Sequence, residues 1–241
     1  MALYAIGDTH LSLGADKPMD VFGGGWSGYV DKLREGLSVI GPEDTTILLG
    51  DLSWALDLNG AREDFAMIAA IPGRKIIVKG NHDYWWTTAA KFYRFCEENG
   101  FPDLYLLNNN CYFYNGIALT GTRGWFFEED APDGSHNDKI FKRELLRLEA
   151  SLRAAGYTPY YLYRQKYMSG SFENIGWCRP GYRGYECPEI LALLERYGVK
   201  ECCYGHLHGS SHRLAIEGVH HGVTYRLCAA DYTNFAPIRL R

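Results

Sequence analysis

The chain holds no stretch of about eighteen consecutive apolar residues, so no membrane-crossing helix is expected. It also lacks a basic opening followed by an apolar run. Met1-Ala2-Leu3-Tyr4-Ala5-Ile6 passes straight into Gly7-Asp8, so no signal peptide is expected and the location implied is cytoplasmic. No Cys-x-x-Cys spacing occurs, and the cysteine count is odd at 7. Reduced, buried thiols are therefore expected, not a disulfide framework. An excess of positive charge is missing as well: the net charge is -4 and the pI about 6.1. That balance argues against a chain that lives by gripping nucleic-acid phosphates. A phosphate-cradling P-loop, a dinucleotide-binding glycine fingerprint and a nucleophile elbow are all absent. So are internal repeats, low-complexity tracts and linkers, which leaves a single domain over residues 1–241 as the expectation.

What is present is ordinary in bulk, with 46% hydrophobic and 22% charged residues. Leu3 to Ile6 is a short apolar run closed by glycine, which predicts a buried strand, and Thr45 to Leu49 and Lys75 to Val78, also closed by glycine within a residue or two, predict two more. Helical spacing follows at Val30, Leu33, Leu37 and Ile40. Further helices are predicted over residues 64–70, 87–98, 137–155 and 188–197. Asn115-Gly116 between Cys111–Tyr114 and Ile117–Thr120 is a hairpin signal. Glu201 to Tyr204 predicts a late strand. His212–Ile216 and Val223–Ala229 read as a closing antiparallel pair, with His220-His221-Gly222 as a turn. The alternation of strands and helices, followed by hairpins, predicts a layered α/β domain with mixed sheets.

Four predicted strands end alike, in glycine followed by residues that bind metals or move protons: Gly7-Asp8-Thr9-His10, Gly50-Asp51, Gly80-Asn81-His82-Asp83 and Gly205-His206-Leu207-His208. One Gly-Asp after a strand is usually a turn. The conjunction of four with compatible donors is not what independent turns produce. Loops at the carboxyl ends of strands converge on one ligand site in open α/β sheets. Mixed carboxylate and imidazole donors suit divalent transition metals better than magnesium or calcium, with Mn, Fe, Zn, Ni and Co all compatible.

These blocks, in this order, resemble the calcineurin-like metallophosphoesterase superfamily, and they span Asp8 to His208. The resemblance implies a four-layer αββα sandwich with two mixed β-sheets flanked by helices, and two divalent metal ions. By motif, Asp8, His10 and His208 would hold one ion, Asp51 would bridge, and Asn81 and His206 would hold the second. His82 would be the catalytic histidine outside the ligand set, oriented or charged through Asp83. Gly121-Thr122-Arg123-Gly124-Trp125 is similar to a stretch in a bacterial branch of predicted phosphohydrolases, where Arg123 would meet substrate phosphate. The implied activity is hydrolysis of a phosphomonoester or phosphodiester of a small substrate by in-line attack of a metal-bound hydroxide.

The pattern breaks once. The family places one more metal-binding histidine on a strand between the third and fourth blocks, and residues 155–185 contain none. That interval instead holds 7 of the 18 tyrosines and shows no convincing strand alternation. Three readings stand: a divergent lid, replacement of the ligand by His136, Cys178 or Glu173, or locally altered sequence. A missing ligand predicts a weak or empty second metal site. The alternative function is then a metal- or phosphate-binding protein with weakened or lost catalysis. Neither a membrane nor nucleic acid is an expected partner, and the sequence fixes no oligomeric state.

Overall fold

The computed structural model describes residues 1–23, 25–124, 134–156, 160–166 and 188–241. Along the chain the elements are β1 (Leu3–Ile6), α1 (Tyr29–Leu37), β2 (Thr45–Leu48), α2 (Arg62–Ala69), β3 (Arg74–Val78), α3 (Ala89–Asn99), β4 (Leu104–Leu107), β5 (Cys111–Tyr114), β6 (Ile117–Thr122), α4 (Gly134–Ala154), β7 (Tyr160–Lys166), α5 (Pro188–Arg196), β8 (Val199–Gly205), β9 (Gly218–His220), β10 (Val223–Leu227) and β11 (Ile238–Arg239). They divide into two compact units, Met1–Leu106 with Cys228–Arg241, and Leu107–Leu227.

The first unit carries a mixed sheet in the order β11-β1-β2-β3-β4, with β1, β2 and β3 parallel and β11 antiparallel to β1. Strands β1 and β2 are buried at every residue, which is why neither shows hydrophobic alternation. Leu33 and Leu37 of α1 and Phe65 and Ile68 of α2 bury their apolar stripes in the same core. Phe65 meets Trp85 edge-on at 4.7 Å, and each fully buried ring of this kind contributes roughly 1.5–3 kcal/mol. Lys75 is buried in β3, where its ammonium donates to the Ile71 carbonyl at 2.8 Å just beyond α2. Phe235, in the tail, is 1% exposed in this core.

The second unit has the sheet order β5-β6-β7-β8-β10-β9. β6, β7 and β8 run parallel, as do β8 and β10, while β5 and β9 are antiparallel edges. The β5–β6 hairpin turns on Asn115 and Gly116, both with positive φ at 47° and 78°. This is the type I′ geometry that Asn-Gly selects.

Two expectations are corrected here. Residues 160–166, read as lacking strand character, form β7, paired on both sides. Its tyrosines and leucine have high strand propensity, and neighbours on either edge override the missing alternation. The predicted strand over 212–216 is instead a 3-10 turn over Gly209–Leu214 and an extended exit, so the antiparallel partner of β10 is β9. The Tyr204 hydroxyl both donates to the Ile216 carbonyl and accepts from its N–H, each at 2.8 Å, leaving that segment no ladder to join. The structure is thus mixed α/β with two mixed sheets, as expected. Cys96, Cys202, Cys203 and Cys228 are buried and form no disulfide among the described residues, and burial pushes the Cys96 thiol up to about 11. Among the described residues no helix is long and apolar enough to cross a membrane.

Candidate metal centre

The loops after β1, β2 and β3 leave the first sheet side by side. Asp8 N–H donates to the Gly50 carbonyl at 2.8 Å, and His10 N–H to the Asp51 carbonyl at 2.9 Å. These bonds lock the first loop to the second. The loops turn so sharply that Asp8, His10 and Asp51 all adopt positive φ, at 56°, 44° and 49°. Such left-handed backbone is uncommon for residues with a Cβ and clusters where function holds it in place. Gly80 is required by contact: a Cβ there would sit 2.1 Å from both the amide nitrogen and Oδ1 of Asp51.

Asp8, His10 and Asp51 are 0%, 2% and 1% exposed. Two carboxylates this buried, on adjoining loops, keep negative charge at low cost only beside a cation. A divalent ion fills that role, and the donor set of two carboxylates, one imidazole and the Asn81 amide is that of a transition-metal site. The residues of this unit therefore fit the metal their pattern implies. Asp51 Oδ1 also accepts the His82 backbone N–H at 2.7 Å, tying the third loop to the second.

Asp83 has a different neighbourhood from the one its position beside His82 suggests. Its carboxylate accepts N–H bonds from Asp51 at 3.0 Å, Leu52 at 2.9 Å, Gly80 at 2.6 Å and the Trp85 indole at 2.9 Å, with Ser53 at 3.5 Å. It is thereby a clamp on the second and third loops. Complete burial pushes this carboxyl up, and the N–H bonds from Gly80 and Leu52 oppose the rise.

Sequence reasoning missed two further supports. Asp64, on α2, accepts from Leu13 N–H at 2.7 Å and from the Ser53 hydroxyl at 2.5 Å, so it braces the first and second loops. Burial pushes the Asp64 carboxyl up, with the Ser53 hydroxyl pulling the other way. Tyr29 donates to the His10 carbonyl at 3.1 Å. The one signal available for Asp64 was an acid inside an otherwise apolar helical stripe.

Aromatic rings complete the surroundings. Trp54 stacks on His10 at 4.8 Å with 21° between the planes and lies 4.6 Å from His82. Tyr84 meets His82 edge-on at 6.2 Å and is 57% exposed. The Lys17 ammonium sits 3.5 Å from the centre of the Trp54 ring. Trp85, by contrast, is core.

In the second unit, β8 delivers the remaining predicted ligands. His206 follows its last residue with φ of 78°, and half-buried His208 precedes the 3-10 turn. Its neighbour β7 runs parallel to it and ends in Arg164-Gln165-Lys166, with no histidine. Arg123 stands directly after β6 and is half-buried. The predicted alternatives Cys178 and Glu173, and the His136 side chain, lie outside the described residues.

A family model, "Calcineurin-like phosphoesterase", matches residues 1–210. Among curated proteins, no sequence matches the chain. Among solved structures, phosphopantetheinyl hydrolase from Mycobacterium tuberculosis is similar at a TM-score of 0.59 and 15% identity, covering 99% of this chain and 95% of that one. A protein of unknown function, AQ665 from Aquifex aeolicus, aligns at a TM-score of 0.49 and 16% identity, with the same shares covered.

Proposed function

The chain belongs to the calcineurin-like phosphoesterase family and is a phosphoric ester hydrolase, and we propose from that premise that it cleaves a small phosphomonoester or phosphodiester with the residues gathered at its strand ends. The observation that carries this is that two adjacent parallel strands, β1 and β2, end in the buried donors Asp8, His10 and Asp51 held at positive φ, with half-buried Asn81 following the neighbouring β3. In this reading Asp8, His10, Asp51 and His208 hold one divalent ion, and Asn81, His206 and the shared Asp51 hold the second. When bound, such ions lower the pKa of water and neutralise phosphoryl oxygens. The chain's own residues supply the rest. His82, its backbone fixed by Asp51 Oδ1, presents an imidazole to protonate the leaving oxygen. Trp54 packs beside that ring and limits water around it. Asp83 acts through the loops it clamps and is a positioning residue. Arg123 meets a substrate phosphoryl oxygen.

The absence of histidine at the end of β7 favours unequal metal sites, the second weaker than the first. The test is hydrolysis of p-nitrophenyl phosphate and bis-p-nitrophenyl phosphate with added Mn²⁺, alongside elemental analysis. We expect turnover that depends on Asp51 and His82, and one tightly held ion per chain. Metal binding without any such turnover would instead support the binding-protein alternative.

A further inference from the structure

The loop that follows β1 carries a cation no part of this mechanism uses. Lys17 places its ammonium 3.5 Å from the centre of the Trp54 ring, and that indole in turn packs on the imidazoles of His10 and His82. The placement is built from the backbone outward. Leu13 N–H is held by Asp64 and Lys17 N–H by the Ala15 carbonyl. Beyond Lys17, the Trp54 indole N–H donates to Met19 Sδ at 3.3 Å, and Gly28 N–H donates to Asp20 Oδ1 at 2.9 Å. The segment is thus pinned on both sides of Lys17.

Two acids are close in sequence, Asp16 and Asp20, yet among the described residues the ammonium forms no ion pair and lies on the indole instead. A cation–π contact at an exposed site contributes only about 0.5–1 kcal/mol, which leaves the charge available to a stronger partner. The location also matters. An ammonium one ring away from a cationic metal centre is repelled by it, unless an anion lies within reach of both. In the reading above, bound metals would neutralise the scissile phosphoryl group, which leaves a second anion for Lys17, on the leaving-group side that His82 serves. The exposed ring of Tyr84 stands on that same histidine and offers a wall to the group between.

We infer that Lys17, presented on Trp54, is a specificity-determining residue that receives a second anionic group on the substrate, a phosphate or a carboxylate. The inference rests on the phosphoesterase reading for the position of the first phosphate. It predicts a preference for phosphoesters with two anionic groups (doubly anionic) over those whose phosphate is the sole anionic group (singly anionic), whatever the charge on each group.

The test uses two matched pairs with Mn²⁺: glucose 6-phosphate against glucose 1,6-bisphosphate, which adds a phosphate, and glycerol 3-phosphate against 3-phosphoglycerate, which adds a carboxylate. For each compound kcat/KM is measured, and affinity is measured by calorimetry. The wild-type chain should favour the doubly anionic member of at least one pair by about tenfold, the size of one charge-assisted contact. Lys17→Gln should erase that preference while leaving the singly anionic member unchanged, and Lys17→Arg should keep it. Which pair responds tells phosphate from carboxylate. No preference in either pair, a preference that survives Lys17→Gln, or an equal loss on both members would overturn the assignment. Calorimetry reads the preference whether or not turnover occurs, so a failure of the hydrolase reading is seen separately.

Discussion

The carboxyl ends of β1, β2 and β3 and those of β7 and β8 are built to different standards. In the first sheet the loops after β1 and β2 end in the buried donors Asp8, His10 and Asp51, and behind them stand Asp83, Asp64 and Tyr29, each hydrogen-bonded to a loop backbone. In the second sheet β8 carries two histidines, but β7 beside it closes on Arg164-Gln165-Lys166. In our proposal a metal site depends on neighbouring strand ends, so that one strand without its donor weakens only the half it serves. The supporting layer is as much a part of the first site as the donors, because buried ligands hold their geometry only when their own backbones are held.

Four measurements break or sharpen this contrast. The largest effect is expected at Asp51, which serves both halves in our proposal. Asp51→Asn should lower kcat by about a thousandfold, whereas His206→Ala, in the half already short of a donor, should cost no more than about tenfold at saturating Mn²⁺. Equal losses would mean that the two halves are equally complete. Next comes Asp83→Asn, which turns an NH₂ toward N–H donors. We expect about 3 kcal/mol of lost stability in urea unfolding, together with lower activity. An unfolding midpoint equal to wild type would remove Asp83 from the supporting layer.

Tyr29→Phe should cost about 1 kcal/mol by deleting the bond to the His10 carbonyl, with the loss of first-site metal affinity read by competition with a chelator. The smallest effect concerns Asp64. Its folded-state pKa stands above the ordinary 3.8, so its stabilising contribution is full below pH 3.8 and is lost as pH rises through the folded value. Asp64→Asn does not titrate. The stability difference between variant and wild type should therefore move in the variant's favour from about pH 3.5 to pH 7, as read from urea midpoints. A difference that stays flat over that range would show that the buried carboxyl titrates normally.

Much of this was legible in the sequence, for identifiable reasons. Strand β1 is an unbroken apolar run, and β2 and β3 each close on apolar residues before a glycine, so all three were readable and their glycine-terminated ends pointed to the donors. Asn115-Gly116 encodes its own turn. What was not legible depended on neighbours distant in sequence. Strand β7, with Arg164, Gln165 and Lys166 at its end, is a strand because β6 and β8 flank it. The 3-10 turn after His208 displaces the predicted strand because Tyr204, in β8, takes both polar groups of Ile216. Adjacency misled at Asp83: consecutive residues in a loop share no direction, and its carboxylate faces N–H groups from two loops. Lys17 was silent for the same reason, since nothing near it in sequence announces Trp54.

The left-handed backbone at Asp8, His10 and Asp51 has a consequence for anyone reshaping this chain. Glycine would relieve each of these positions of about 1 kcal/mol of conformational cost, so the backbone alone favours erasing the very residues on which the chemistry rests. A library selected for thermostability alone would drift toward glycine at residues 8 and 10, and it would yield a sturdier, inert protein. In our proposal these donors stand against the preference of their own backbone, and a screen that hopes to keep them must demand turnover in every round.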